Sequence, residues 1–370
     1  AMASGITLPS RPTEASPRSS PMRNVFVLHG TYGPKAAPYG CTYIRLLRPL
    51  SHPSVSDRVR LTHGPELTGP ADVVIVERSW REGTTATEAE RLIAYLRARG
   101  IPLLHALDDS LLDLDENDVP AAALANIHRV VALFAREAAG LLVSTQALAN
   151  RMARLNSNIV VVPNHVDERL FGEPAAVDDD GTTTIGYMGT YTHENDIRTV
   201  LRGIRETMTR RGNRIRLEFV GGVADPRIYS LFDGKDLRTP TTGSDHEYIR
   251  FIPWLRRTVR WNAAFAPLED TLLNRCKSDI KFLDYALLGI PAVYADVPIY
   301  RATVEHGVTG LLAPSTPDGF RDALDTLLND RELRSRIART ARETVLKTRT
   351  LSIGARLWPQ AIDRLLAWSV

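Results

Sequence analysis

The sequence predicts an α/β fold made of two tandem units, each a parallel sheet with helices on both faces, set opposite one another across a central cleft. Three observations predict it. From Asn24 onward, short β-branched runs alternate with amphipathic stretches of about ten or more residues, and parallel strands need such crossover helices. The alternation breaks once, at Glu173-Pro174 and the polar run Asp178-Asp179-Asp180-Gly181, and then resumes. The 370 residues also suffice for two domains at roughly 150 residues each.

The elements follow in order. Residues 1–22 hold four prolines and five serines without apolar periodicity and read as a disordered leader, its Ala-Met-Ala-Ser start as a tag remnant; no signal-peptide apolar core is present. Residues 23–170 form the first Rossmann-like domain. Its strands are expected at Val25 to Leu28, Val73 to Val76, Leu103 to His105, Gly140 to Val143 and Ile159 to Val162. Its helices are expected at Thr42 to Pro49, Ala86 to Arg99, Ala121 to Glu137 and Thr145 to Leu155. A linker occupies 171–182. The second Rossmann-like domain, 183–350, has expected strands at Thr184 to Met188, Leu217 to Val220, Ile249 to Ile252, Ala263 to Ala266 and Ala292 to Tyr294. Its helices are expected near Asp196 to Arg210, Ile280 to Leu288, Thr316 to Leu328 and Arg331 to Val345. Residues 351–370 carry Trp358, Ile362, Leu365 and Leu366 at helical spacing, an apolar face that needs a surface to cover.

Composition narrows the function classes. No apolar run approaches the roughly 18 residues needed to span a bilayer. Two cysteines, Cys41 and Cys276, rule out a disulfide scaffold and fit a reducing cytoplasm. The half from Arg23 to His165 balances 15 basic against 14 acidic residues, which argues against a nucleic-acid surface. The nine histidines and two cysteines show no metal-ligand spacing. Gly30, Gly33 and Gly40 do not have dinucleotide-fingerprint spacing, and no Gly-X-Ser-X-Gly elbow occurs. Asp113-Leu114-Asp115 imitates a metal-binding Asp-X-Asp but sits in an acidic loop.

In doubly wound folds, ligands bind at the carboxyl ends of the strands. The richest segment there runs from Asn274 to Pro291. Ser278 suits a helix N-cap, Asp279 the first turn, and Gly289 with Pro291 a stop. A helix start facing the cleft attracts phosphate, and Lys277 and Lys281, two of only five lysines in the chain, add positive charge one turn apart. Asp284 lies on the same side as Lys281, where it either accepts from ribose hydroxyls or pairs with that lysine. In the first domain, His105-Ala106-Leu107-Asp108-Asp109 ends a strand, so its polar groups are expected to face the cleft. The alternative is a capping Asp and a half-buried histidine.

The run Phe265-Ala266-Pro267-Leu268-Glu269-Asp270-Thr271, with Asn274, Lys277-Ser278, Lys281-Phe282 and Gly289-Ile290-Pro291, resembles the donor-site region of retaining family-4-like glycosyltransferases of the GT-B fold. Asp72 to Arg78, His105 to Asp109, Val143-Ser144-Thr145, Val162 to Asp167 and Ile185 to Thr190 occur in the order such enzymes show, over residues 24–368. The resemblance implies a metal-independent transferase without a cofactor, taking sugar from a nucleotide-sugar donor with retention, in bacterial glycan or glycoconjugate synthesis. The acceptor would be a glycan, a lipid-linked glycan or a small molecule. Nucleic acid is not a partner, and the setting is cytoplasmic, with peripheral membrane contact left open. It further implies donor binding by Thr190, His193, Pro253, Trp254, Asn274, Lys277, Ser278, Lys281 and Asp284, with the Phe251 to Trp254 turn meeting the base. His105, Asp108 and Asp109 would be catalytic, and Gly33, Tyr39 and Arg45 would lie on the acceptor side. The terminal helix would cross back onto the first domain. Where many members have two glutamates separated by seven residues, this chain has Cys276 and Asp284. Where many have Arg and Lys, it has Thr190 and Asn195. Two other readings use the same architecture: a nucleotide-sugar 2-epimerase, and a non-catalytic nucleotide-sugar-binding homologue.

Overall fold

The structure is a computed structural model that describes residues 21–116, 118–177, 181–243 and 246–368. All but the last two residues of the expected leader, and the Asp178-Asp179-Asp180 part of the expected linker, lie outside the described residues.

Two six-stranded parallel sheets organise the chain. The first contains β1 (Arg23–Leu28), β2 (Val59–Gly64), β3 (Val73–Glu77), β4 (Leu103–Leu107), β5 (Gly140–Val143) and β6 (Ile159–Val161), in the order β2-β1-β3-β4-β5-β6. The second contains β7 (Thr183–Gly189), β8 (Ile215–Gly221), β9 (Asp236–Arg238), β10 (Ala263–Ala266), β11 (Ala292–Ala295) and β12 (Leu311–Ala313), in the order β9-β8-β7-β10-β11-β12. Strands β3, β5 and β10 are buried along their whole length, as near-continuous apolar runs of a doubly covered sheet should be. In each sheet the strand order reverses beside the first strand of the unit. Loops leaving the carboxyl ends there diverge and open a crevice.

The structure corrects the sequence reading at several elements. Ile249 to Ile252 is not a strand: it belongs to the helix Tyr248–Thr258, whose buried Tyr248, Ile252 and Leu255, followed by Val259 at its end, recur at helical spacing. The helix expected over Asp196 to Arg210 is two pieces, Glu194–Arg198 and Leu201–Arg211. The first helix of the chain widens into a π-turn over Tyr43–Leu47. Pro49 has no N–H to give the Arg45 carbonyl, and Trp358 Nε1 donates to that carbonyl instead.

That last bond belongs to the terminal helix Leu357–Ala367, which lies on the first sheet. Trp358 is fully buried there, edge-on to His165 at 5.8 Å. Asn158 Nδ2 donates to the Leu365 carbonyl at 2.8 Å, and Asp363 pairs with Arg23 (3.0 Å) and Arg58. Gly140 has to be glycine for this packing, since a Cβ there would stand 2.6 Å from Leu365. The chain thus passes between the units twice, once near Val166 and once near Thr350. The two passages are joined by Val166 N–H to the Arg349 carbonyl and Leu351 N–H to the Val166 carbonyl, each 2.9 Å.

Candidate active site

The first unit's contribution begins at the end of β3. Arg78 has a left-handed backbone, φ +52°, as does Trp80 at +74°, conformations that non-glycine residues hold only when their surroundings impose them. The geometry aims the Arg78 guanidinium along the sheet edge to the loop after β4. Its Nε donates to Asp108 Oδ1 and its Nη2 to Asp108 Oδ2, both at 2.6 Å, and Nη2 also reaches Asp109 Oδ2 at 3.2 Å. Burial pushes the Asp108 carboxyl up, but this bidentate pairing outweighs it and holds the group below the usual carboxylate range. Asp108 is therefore an ionised carboxylate at the cleft, already committed to Arg78.

The second unit answers with the loop after β10 and the helix Ile280–Leu287. Asp196 organises this loop: its Oδ1 accepts from Glu269 N–H and from Asn274 Nδ2, each at 2.9 Å, while Oδ2 accepts from His193 Nδ1 at 2.9 Å. Asn274 gives its second amide hydrogen to the Glu269 carbonyl at 3.0 Å. Asp279 occupies the N-cap position of Ile280–Leu287 but makes no capping bond, because its carboxylate is held by Arg349 at 2.8 and 2.9 Å. Phe282 N–H donates to the Asp279 carbonyl at 2.9 Å, which leaves the N–H groups of Ile280 and Lys281 for another acceptor. Lys281 is half-buried on this turn, with its ammonium 5.5 Å from the centre of the Tyr187 ring and no carboxylate within ion-pair distance among the described residues. Burial, and then the charge of Lys277, push its pKa down to about 8. Asp284 is buried one turn on with Oδ1 unpartnered, and burial raises its pKa to about 7.

The two units meet directly. Lys277 Nζ stands 3.7 Å from Asp109 Oδ2, Thr145 Oγ1 donates to the Cys276 carbonyl at 2.8 Å, and Asn164 Nδ2 donates to Ser278 Oγ at 2.7 Å. Arg45 Nη1 in turn donates to Asn164 Oδ1 at 2.8 Å. Asp108, Asp109, Lys277, Ser278 and Lys281 therefore converge from both sides of the cleft.

Other expected site residues lie only partly in the cleft. His105 does not face the cleft: it is fully buried beside Phe134, its Nε2 bonded to the Arg78 carbonyl at 2.7 Å, and burial lowers its pKa to about 4. It supports Arg78 from beneath. Pro253 and Trp254 are not in a turn but inside the helix Tyr248–Thr258, with Trp254 stacked on Phe251 at 5.9 Å. Arg45 is 3% exposed; its Nη1 donates to the Val162 carbonyl and to Asn164 Oδ1, while its Nη2 is buried without a hydrogen-bond partner. Ser278 is not the N-cap, its hydroxyl being taken by Asn164. His193 is held neutral, its pKa pushed to about 3 by burial and then Lys281, so it adds no charge to an anion site. Thr190 is exposed and bonded to Thr192 Oγ1 at 2.7 Å. Tyr39 stacks on Tyr32 at 5.1 Å at the mouth of the cleft, in a loop that turns at Gly33, φ +68°. Cys276, at the position of the missing acid, packs into the core of the first unit. Asp113 of the Asp-X-Asp imitation is bound by Arg151 at 2.7 Å.

Sequence reasoning missed Arg78, Asp196, Asn164 and Arg349 as members of this site. Arg78 had a signal, a lone arginine directly after a strand. The others are read only from the fold.

Two sheets with facing carboxyl ends and a terminal helix returning to the first unit make the architecture that of the GT-B glycosyltransferases. Residues 280–344 match the family model described as Glycosyl transferases group 1, a stretch that starts at the lysine-bearing helix. Among solved structures, the chain is similar to a glycosyltransferase from Rickettsia africae ESF-5 (TM-score 0.62, 10% identity, covering 93% of this chain and 99% of that one). It is similar to Anabaena Alr3699/HepE, solved in complex with UDP-glucose (TM-score 0.62, 13% identity, 93% and 100%). It is also similar to S. aureus TarM (TM-score 0.55, 12% identity), covering 80% of this chain and 54% of TarM, so it spans about half of that protein's length. No curated protein matches the sequence. Among the described residues no helix is long and apolar enough to cross a membrane.

Proposed function

We propose that the protein is a glycosyltransferase that moves a sugar from a nucleotide-sugar donor to a hydroxyl acceptor, with retention of anomeric configuration, in glycan or glycoconjugate synthesis. One observation carries the reading: Lys281, half-buried without an ion pair among the described residues, stands beside Lys277 on the uncapped first turn of a helix facing the cleft. Two repelling cations at a helix N-terminus are stabilised by a polyanion, and a diphosphate has the right charge. Asp284, one turn further with a free oxygen, is the acceptor for ribose hydroxyls. HepE, of similar fold and solved in complex with UDP-glucose, supports a nucleotide sugar as the class of ligand.

In this reading Lys277, Lys281 and the helix N–H groups neutralise the departing diphosphate without a metal. Asp108, ionised and fixed by Arg78, and Asp109 orient the acceptor and stabilise positive charge developing at the anomeric carbon. Thr190 and the Tyr32–Tyr39 loop border the sugar and acceptor space. The test is incubation with a panel of nucleotide sugars, with and without candidate sugar acceptors, following nucleoside diphosphate release. Acceptor-dependent release supports transfer, whereas binding of a nucleotide sugar without any turnover would leave only the non-catalytic homologue.

A further inference from the structure

Asp109 stands against Lys277, one of the two lysines to which the reading above gives the donor diphosphate. Its Oδ2 is 3.7 Å from Lys277 Nζ and 3.2 Å from Arg78 Nη2, so one carboxylate of the first unit bridges to the basic site of the second. Arg78 does not need it for neutrality, since Asp108 already takes that guanidinium in a two-pronged pair at 2.6 Å. The charge of Asp109 is thus available to Lys277, and both side chains are largely withdrawn from water, 22% and 14% exposed.

We infer that Asp109 is a built-in stand-in for the donor diphosphate: it caps Lys277 in the donor-free protein and is displaced when the donor binds. The inference rests on the donor-site reading above. A diphosphate and Asp109 are like charges at one ammonium, so their mutual repulsion favours the more highly charged diphosphate and drives the carboxylate off. Once released, Asp109 remains beside Arg78, on the acceptor side of the cleft, where its carboxylate can take a hydrogen bond from an incoming hydroxyl. The exchange favours binding of the donor before the acceptor, because an acceptor arriving first finds Asp109 engaged with Lys277. Asp109 also joins the units across the cleft, so its exchange couples donor binding to the relative setting of the two halves.

The experiment uses inorganic pyrophosphate as the probe, by calorimetry on the full chain, with wild type, Asp109→Asn, Lys277→Met and the double variant. Removing a competing charge from a partly exposed pair should tighten pyrophosphate binding about fivefold in Asp109→Asn. In the Lys277→Met background the same change should bring no gain, because the contact it relieves is already gone. A gain of equal size in both backgrounds would mean general charge repulsion and overturn the stand-in. So would unchanged or weaker binding in Asp109→Asn, which would make Asp109 a supporting residue of the site. Asp109→Ser serves as a second variant should the amide perturb folding. If wild type binds neither pyrophosphate nor any of UDP, GDP, dTDP and ADP, the donor-site reading falls and takes this inference with it. Binding by wild type with no cycle effect overturns the inference alone.

Discussion

Lys281 makes donor binding dependent on pH in a direction that can be worked out beforehand. Its pKa in the free protein is about 8, against an ordinary 10.5, because burial and the neighbouring Lys277 disfavour the ammonium. A diphosphate seated on it favours the charged form and should return the pKa toward the ordinary value. The protonated lysine is the form that binds. Below about 8 it is already present and Lys281 adds no slope. Above that, each pH unit should cost roughly tenfold in nucleoside diphosphate affinity, about 1.4 kcal/mol, until the pKa of the complex is reached. The ligand adds no slope of its own there, since a terminal phosphate has its second ionisation near 6 and is complete by pH 7. Titration calorimetry at pH 7, 8 and 9, in buffers of different ionisation enthalpy, should show proton uptake approaching one per site at pH 9. Lys281→Met should remove both slope and uptake and weaken binding at pH 7 roughly ten- to hundredfold, the range of one charge-assisted hydrogen bond. Wild-type affinity that stays flat from pH 7 to 9 with no proton taken up would refute the placement of phosphate on Lys281.

Three further outcomes follow from the same geometry. Asp284, raised to about 7 by burial, is ionised only above that pH, so a bare nucleoside should bind more tightly at pH 8 than at pH 6, opposite to the diphosphate trend; equilibrium titration of wild type and Asp284→Asn, in which the dependence should vanish, checks this. Turnover should survive excess EDTA, and a complete loss restored by Mg or Mn would contradict charge neutralisation by the lysines and helix. Trp358→Ala removes a fully buried indole and its bond to the Arg45 carbonyl and should cost about 3–5 kcal/mol in denaturant unfolding, with deletion of residues 355–370 raising hydrogen exchange at Gly140–Val143 and Ile159–Val161. Exchange increases confined to the second unit would show that the terminal helix does not cover the first sheet.

What could be read from the sequence was what burial imposes locally. Strands β3, β5 and β10 are apolar runs flanked by turns and were legible almost to the residue. Strand β2 was not, because it lies at a sheet edge with Arg60, Thr62 and His63 among its six residues, and β9, Asp-Leu-Arg, has still less apolar signal. The run Ile249 to Ile252 is a short apolar stretch that reads as a strand, whereas the buried Tyr248, Ile252, Leu255 and Val259 set the true, helical period. At the site, Lys277 and Lys281 were legible because lysine is scarce in this arginine-rich chain. The roles of Asp196, Asn164 and Arg349 were not, because each acts on residues far away in sequence: Arg349 on Asp279, Asn164 on Ser278, and Asp196 on Glu269 and Asn274. His105 misled because the end of a strand and the edge of a cleft are different places: its ring points into the core while its successors Asp108 and Asp109 reach the opening.

The most direct test is a crystal structure with the nucleoside diphosphate that gives the largest thermal shift among UDP, GDP, dTDP and ADP. The diphosphate should lie against Lys277, Lys281 and the first-turn N–H groups of Ile280–Leu287, with the ribose at Asp284 and Asp109 no longer in contact with Lys277. A diphosphate bound elsewhere, with the Lys277–Asp109 pair intact and Lys281 untouched, would contradict the assignment of this cleft to a nucleotide-sugar donor.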